Sequence, residues 1–146
     1  MIWVYLDTSA FLKLFLDESG SEEVSEAASK VAHLAASRLV LTESRVALAR
    51  YKRTGRITEE GHRAALESVD AFWDTEMDEL DLTAEVLEEA ERQAQISTLR
   101  TLDAIHLATA KLARKALPRP ASAGFMTYDE ELRKAALAMR FLDPLA

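Results

Sequence analysis

Apolar residues open this chain as the run Met1-Ile2-Trp3-Val4-Tyr5-Leu6, which stops at Asp7 and the two hydroxyls of Thr8 and Ser9. A short apolar run bounded by polar residues fits a strand buried on both faces of a parallel sheet. Asp7 then falls just past the strand's carboxyl end, where open α/β sheets hold their ligands. After it the rhythm changes. Ala10 to Leu16 predicts a short helix that Thr8 or Ser9 can cap, and Asp17 to Ser21 a turn. Val24, Ala27, Ala28, Val31, Ala32, Leu34 and Ala35 recur at intervals of three and four, predicting a second helix from Ser21 to Ala35.

Arg38 to Thr42 is the next strand candidate, and Glu43 opens a helix that ends near Gly55. A helix from Thr58 to Trp73, a short edge strand at Glu79 to Leu82 and a helix capped by Thr83 follow. The spacing then predicts a helix from Thr98 to Ala116, closed by Pro118 and Pro120. Phe125 to Thr127 reads as a strand ending at Tyr128-Asp129, Glu130 to Ala138 as a helix, and Arg140 to Leu142 as a last strand. Strands separated by helices imply parallel crossovers and an α/β three-layer sandwich around a mostly parallel sheet. No repeat, low-complexity tract or linker divides residues 1–146, so the expected organisation is a single domain.

Composition narrows this picture. There is no cysteine, which excludes disulfides and thiolate metal sites and fits a reducing compartment. No apolar run approaches the roughly 20 residues of a membrane span, and the first residues lack a basic segment and cleavage site, so a cytoplasmic protein is the expectation. The net charge of −7 argues against a generic polyanion binder. Its distribution is uneven: Arg45, Arg50, Lys52, Arg53 and Arg56 cluster without an acid among them, either as a solvated helix face or as a nucleic-acid path.

Four acids carry the candidate chemistry. Asp7, Glu43 and Asp129 each follow an expected strand, and Asp103 lies on a helical apolar stripe with Leu99, Leu107 and Ala110. Each has a structural explanation. Asp7 and Asp129 can cap helices, Glu43 can complement a helix dipole, and Asp103 can pair with Arg100. Jointly they say more. Carboxylates converging on one sheet edge repel one another unless divalent cations neutralise them, and oxygen ligands without a His or Cys cluster favour Mg²⁺ or Mn²⁺ over Zn²⁺. Thr8 and Ser9 are placed to donate to Asp7. His106, three residues after Asp103 in an alanine-rich helix, reads as a packed or hydrogen-bonded structural histidine.

The motifs Asp7-Thr8-Ser9-Ala10, Thr42-Glu43-Ser44-Arg45, Leu102-Asp103-Ala104-Ile105-His106-Leu107-Ala108-Thr109-Ala110 and Thr127-Tyr128-Asp129 resemble those of the PIN-domain ribonucleases, and within them the VapC-like toxins of type II toxin–antitoxin systems. The resemblance runs in order along essentially the whole chain, and its most specific piece is the run around Asp103. It implies an endoribonuclease dependent on Mg²⁺ or Mn²⁺, with Asp7, Glu43, Asp103 and Asp129 as its acids. Asp7 and Asp103 would be the main metal ligands, Glu43 and Asp129 would bind directly or through water, and Thr127 would support the site. It further implies in-line hydrolysis of RNA to a 3′-hydroxyl and a 5′-phosphate, a homodimer, and a small VapB-like antitoxin partner. On this reading Arg45, Arg50, Lys52 and Arg53 are the RNA-binding candidates. The alternative is a catalytically silent PIN-fold scaffold that binds RNA or protein. A phosphatase is disfavoured by the lack of Asp-x-Asp after the first strand, and a receiver-like domain by the glutamates that follow Asp129.

Overall fold

The structure, a computed structural model, describes residues Met1–Ala146. Its centre is a four-stranded, wholly parallel sheet of β1 (Trp3–Leu6), β2 (His33–Ser37), β3 (Met77–Leu80) and β4 (Ala123–Met126), in the order β3-β2-β1-β4. Tyr5 aligns with Ala35 on one side and Phe125 on the other. All four residues of β1 are buried, as a central strand covered on both faces requires.

The strand's two-residue alternation divides the core. Val4 and Leu6 face one apolar cluster with α1 (Thr8–Leu12), α2 (Ser21–Ser29), α3 (Arg38–Arg53) and α4 (Glu59–Glu76). Trp3 and Tyr5 face the other, with α6 (Thr101–Lys115) and α7 (Glu130–Ala138). The helix α5 (Ala84–Ala94) packs on α6 through Val86, Ala90, Ala104, Ile105 and Ala108. These are the three layers expected. Because every strand runs the same way, Leu6, Ser37, Leu80 and Met126 all end at one edge.

Two expected elements are displaced. The second strand is His33–Ser37, not Arg38–Thr42, and the helix read as Ser21 to Ala35 stops at Ser29. The alanine-rich Leu34-Ala35-Ala36 is driven into a strand by its pairing with β1, where small side chains let helices pack closely on both faces. Leu39, Val40 and Leu41, which look strand-like alone, form the first turns of α3, with Val40 and Leu41 buried in the core. The Ser37 hydroxyl caps that helix by accepting from the Leu39 N–H at 3.1 Å. Glu43 therefore lies in the second turn of α3 rather than at a helix start.

Smaller differences have similar causes. The first helix is Thr8–Leu12; of the caps the sequence offers, Asp7 takes the role and Thr8 and Ser9 do not. Arg140 to Leu142 contributes only a parallel bridge from Leu142 to Gly124, with Arg140 at φ 64° turning the chain. A Cβ on Gly124 would lie 2.8 Å from Met1 Sδ and 3.0 Å from Val4 Cγ2, so a larger residue would require the Met1 side chain to shift.

Phe11 fastens the first helix to the sheet. It is fully buried and meets Phe15, Phe72 and Trp73 at centroid separations of 5.0, 6.2 and 5.5 Å. Phe11→Ala is expected to lose about 3–5 kcal/mol of unfolding free energy in urea titrations. A loss below about 1 kcal/mol would contradict this packing.

Candidate functional site

Asp7 leaves the central strand at the carboxyl edge with only 4% of its surface exposed. Its carboxylate is hydrogen-bonded from three directions. Oδ1 accepts from the Ser9 hydroxyl at 2.7 Å and the Ala10 N–H at 3.0 Å, and Oδ2 accepts from the Thr127 hydroxyl at 2.5 Å. Burial still pushes its pKa up, against the lowering influence of those three donors. Thr127 also accepts from the Asp129 N–H at 3.0 Å, while the Tyr128 N–H donates to Ser9 Oγ at 3.0 Å. The hydroxyls of Ser9 and Thr127 thus bind the β1–α1 and β4–α7 junctions together around Asp7. Thr8, expected to share this task, does not: its hydroxyl is buried without a partner.

Asp129 caps α7, its Oδ1 accepting from the Leu132 N–H at 2.9 Å. Glu43 reaches the edge from α3, with Oε1 2.7 Å from His106 Nε2 on α6. Asp103 stands in the first turn of α6, which begins at Thr101 and not at Thr98. It makes no pair with Arg100. No hydrogen bond or basic side chain answers its carboxylate, and its pKa is raised by burial first, then by the negative charges of Asp129, Asp7 and Glu43. The structure therefore gathers all four acids into one electrostatic neighbourhood. In this arrangement no three His, Asp or Glu side chains close into a ready-made metal cage.

The donor set still fits a hard divalent cation. The acids offer oxygen only, and no lysine or arginine pairs with Asp7, Asp103 or Asp129 to neutralise them. Beside them lies one residue that sequence reasoning passed over. Tyr5, fully buried, places its hydroxyl 2.7 Å from His106 Nδ1 and accepts from the Ser37 N–H at 3.2 Å. Tyr5 sits two residues before Asp7 on β1, and strand alternation was the available signal that it shares a sheet face with α6.

The basic residues are placed differently. Arg45 is tied to Asp70, with N···O distances of 2.8 and 3.2 Å. Arg50, Lys52 and Arg53 occupy the last turn of α3, where they complement the helix dipole. That turn lies roughly 10–15 Å along the axis from Glu43.

A wholly parallel sheet that collects carboxylates at its carboxyl edge, with helices on both faces, defines the class of acid-site α/β domains. The PIN domain profile matches residues 4–137, and this chain belongs to the PIN-domain family. Ribonucleases VapC45 and VapC49, from two strains of Mycobacterium tuberculosis, are each 37% identical to it over 107 residues, covering 73% of this chain and 74% of theirs. Two solved structures share the fold. A toxin–antitoxin complex from Klebsiella pneumoniae superposes with a TM-score of 0.63 and 22% identity, over 97% of both chains. Mycobacterium tuberculosis VapC20, described as a Sarcin-Ricin loop cleaving toxin, gives 0.64 and 20% over 90% of this chain and 94% of its own.

The raised pKa values of Asp7 and Asp103 set a pH dependence. In the metal-free protein the folded state holds protons that the unfolded state has released, from the ordinary carboxylate range up to the raised values. Stability falls as pH rises through that window. Asp103→Asn removes one charge of the cluster and is expected to raise the melting temperature by a few degrees at about pH 7, the gain shrinking toward about pH 3, where the acids are protonated. Calorimetry of both proteins with chelator at both pH values checks this. A lower melting temperature for the variant at neutral pH would contradict the repulsion.

Proposed function

We propose that this chain is a divalent-metal-dependent endoribonuclease, the toxin of a type II toxin–antitoxin pair, hydrolysing RNA phosphodiester bonds at Asp7, Glu43, Asp103 and Asp129. The observation that carries the proposal is Asp103, which has no hydrogen-bond donor or basic partner and feels the charges of Asp129, Asp7 and Glu43, in a PIN-domain chain. The ribonuclease names of its relatives support the reaction and substrate class. The Klebsiella toxin–antitoxin complex supports a small antitoxin partner of VapB type. A homodimer and a cytoplasmic location complete the reading, and no helix is long and apolar enough to cross a membrane.

Asp7 and Asp103 are the principal ligands in this proposal, with Glu43 and Asp129 binding directly or through water. Bound Mg²⁺ or Mn²⁺ supplies Lewis acidity toward phosphate oxygens and lowers the pKa of a water molecule. The protein's part is positioning. Ser9, the Ala10 N–H and Thr127 hold the Asp7 carboxylate in one rotamer, so a cation would meet a ligand already oriented. Asp103, with no hydrogen-bond donor of its own, leaves both carboxylate oxygens free for the cation. Asp129 leaves Oδ2 outside its capping bond. The exposed side chains of Lys52 and Arg53, with Arg50, are the RNA contacts in this reading; Arg45 would first have to leave Asp70.

Purified protein is expected to cleave single-stranded RNA with Mg²⁺ or Mn²⁺ and to stop in excess chelator. Asp7→Asn and Asp103→Asn should each lower the cleavage rate by at least roughly 100-fold while remaining folded by circular dichroism. Cleavage that persists in both variants or in chelator would sink the proposal. The same titration separates it from a silent scaffold. Mn²⁺ at 100 times its dissociation constant should stabilise the wild type by about 2.7 kcal/mol, and should leave Asp103→Asn nearly unmoved at that concentration.

A further inference from the structure

One line of hydrogen bonds joins four elements of the fold behind the acids. The Ser37 N–H, at the end of β2, donates to the Tyr5 hydroxyl on β1 at 3.2 Å. That hydroxyl lies 2.7 Å from His106 Nδ1 on α6, and His106 Nε2 lies 2.7 Å from Glu43 Oε1 on α3. Tyr5 is wholly buried and His106 is 2% exposed, so water does not compete for these bonds. The Tyr5 ring is itself held by stacking on Phe125 at 5.1 Å.

The protons in this line can be ordered by counting donors. The Tyr5 oxygen already accepts from Ser37, and its own hydrogen has one acceptor among its bonded partners, His106 Nδ1. With a proton on Nδ1, the phenolic hydrogen would be buried without a partner. Nε2 faces a carboxylate oxygen, and a bare nitrogen there would oppose two acceptors. The consistent arrangement places a proton on Nε2, donating to Glu43, with Nδ1 accepting from Tyr5.

We propose that His106, locked in its Nε2–H form by Tyr5, is a positioning residue that holds Glu43 by one oxygen and leaves the other for a divalent cation. The inference rests on the metal-dependent reading above. The bond engages Oε1 of Glu43 alone and leaves Oε2 outside it. Tyr5 also precedes Asp7 by two residues on one buried strand, so the placement of Glu43 is tied to that of Asp7 through rigid backbone.

The test measures Mn²⁺ affinity of the full chain by calorimetry for wild type, Tyr5→Phe, His106→Gln and His106→Leu, with circular dichroism as a folding check. His106→Leu should weaken Mn²⁺ roughly 10–100-fold, whereas His106→Gln, which keeps an N–H donor, should recover most of that loss. Tyr5→Phe, an isosteric change of one oxygen, should also weaken Mn²⁺, and it carries the test if His106→Leu does not fold. In nitrogen NMR of the metal-free wild type, His106 should show a protonated Nε2 and a bare Nδ1. Wild-type affinity in folded His106→Leu, equal losses in the Gln and Leu variants, unaltered affinity in Tyr5→Phe, or a proton on Nδ1 would each overturn the inference. A wild type that binds neither Mn²⁺ nor Mg²⁺ would instead remove the metal reading, and this one with it.

Discussion

Burying the Asp7 carboxylate at the end of the central strand is the constraint on which the rest of this structure turns. A carboxylate removed from water is costly unless donors surround it, and here they come from Ser9, Ala10 and Thr127. To supply them, the β4–α7 junction must lie against the β1–α1 junction, which the Leu6–Met126 register of parallel β1 and β4 achieves. The same contacts hold Asp129 near Asp7, since the Thr127 hydroxyl that donates to Asp7 accepts from the Asp129 N–H. Even so, burial outweighs the donors and the pKa of Asp7 stays raised.

Charge is handled in two contrasting ways in this molecule. Glu89, equally buried, sits between α5 and α6 with Lys111, Arg92 and Gln93 around it, and its pKa falls to about 2. That acid is fully answered and serves packing. Asp103 is left without any such partner beside three other acids, and its pKa rises. One fold thus contains a satisfied acid and an unsatisfied one. The difference lies in which side chains approach, and it is why the proposed cation is assigned to the sheet edge.

Much of this was legible beforehand, for identifiable reasons. The run Trp3 to Leu6 is apolar on both alternations, which few structures other than a doubly covered strand accommodate. Thr58 and Thr83 mark the helix starts that they cap. The second strand was not legible, because Leu34-Ala35-Ala36 has no intrinsic strand preference and Leu39-Val40-Leu41 does. That misplacement put Glu43 at a strand end, yet its side chain still reaches the shared edge, because α3 starts beside that edge and carries Glu43 in its second turn.

Pattern and motif alone determined the class of the fold and the carboxyl-edge position of Asp7 and Asp129. These depend on local periodicity and on residues near strand ends, which neighbours in sequence largely dictate. Tertiary structure decided what those acids meet. Ser9 and not Thr8 holds Asp7, Arg100 leaves Asp103 alone, and the hydrogen bonds of His106 link Tyr5 to Glu43. Those partners stand 63 and 101 residues away from His106 along the chain. Such contacts exist only once the sheet has brought its strands into register, so no local pattern encodes them.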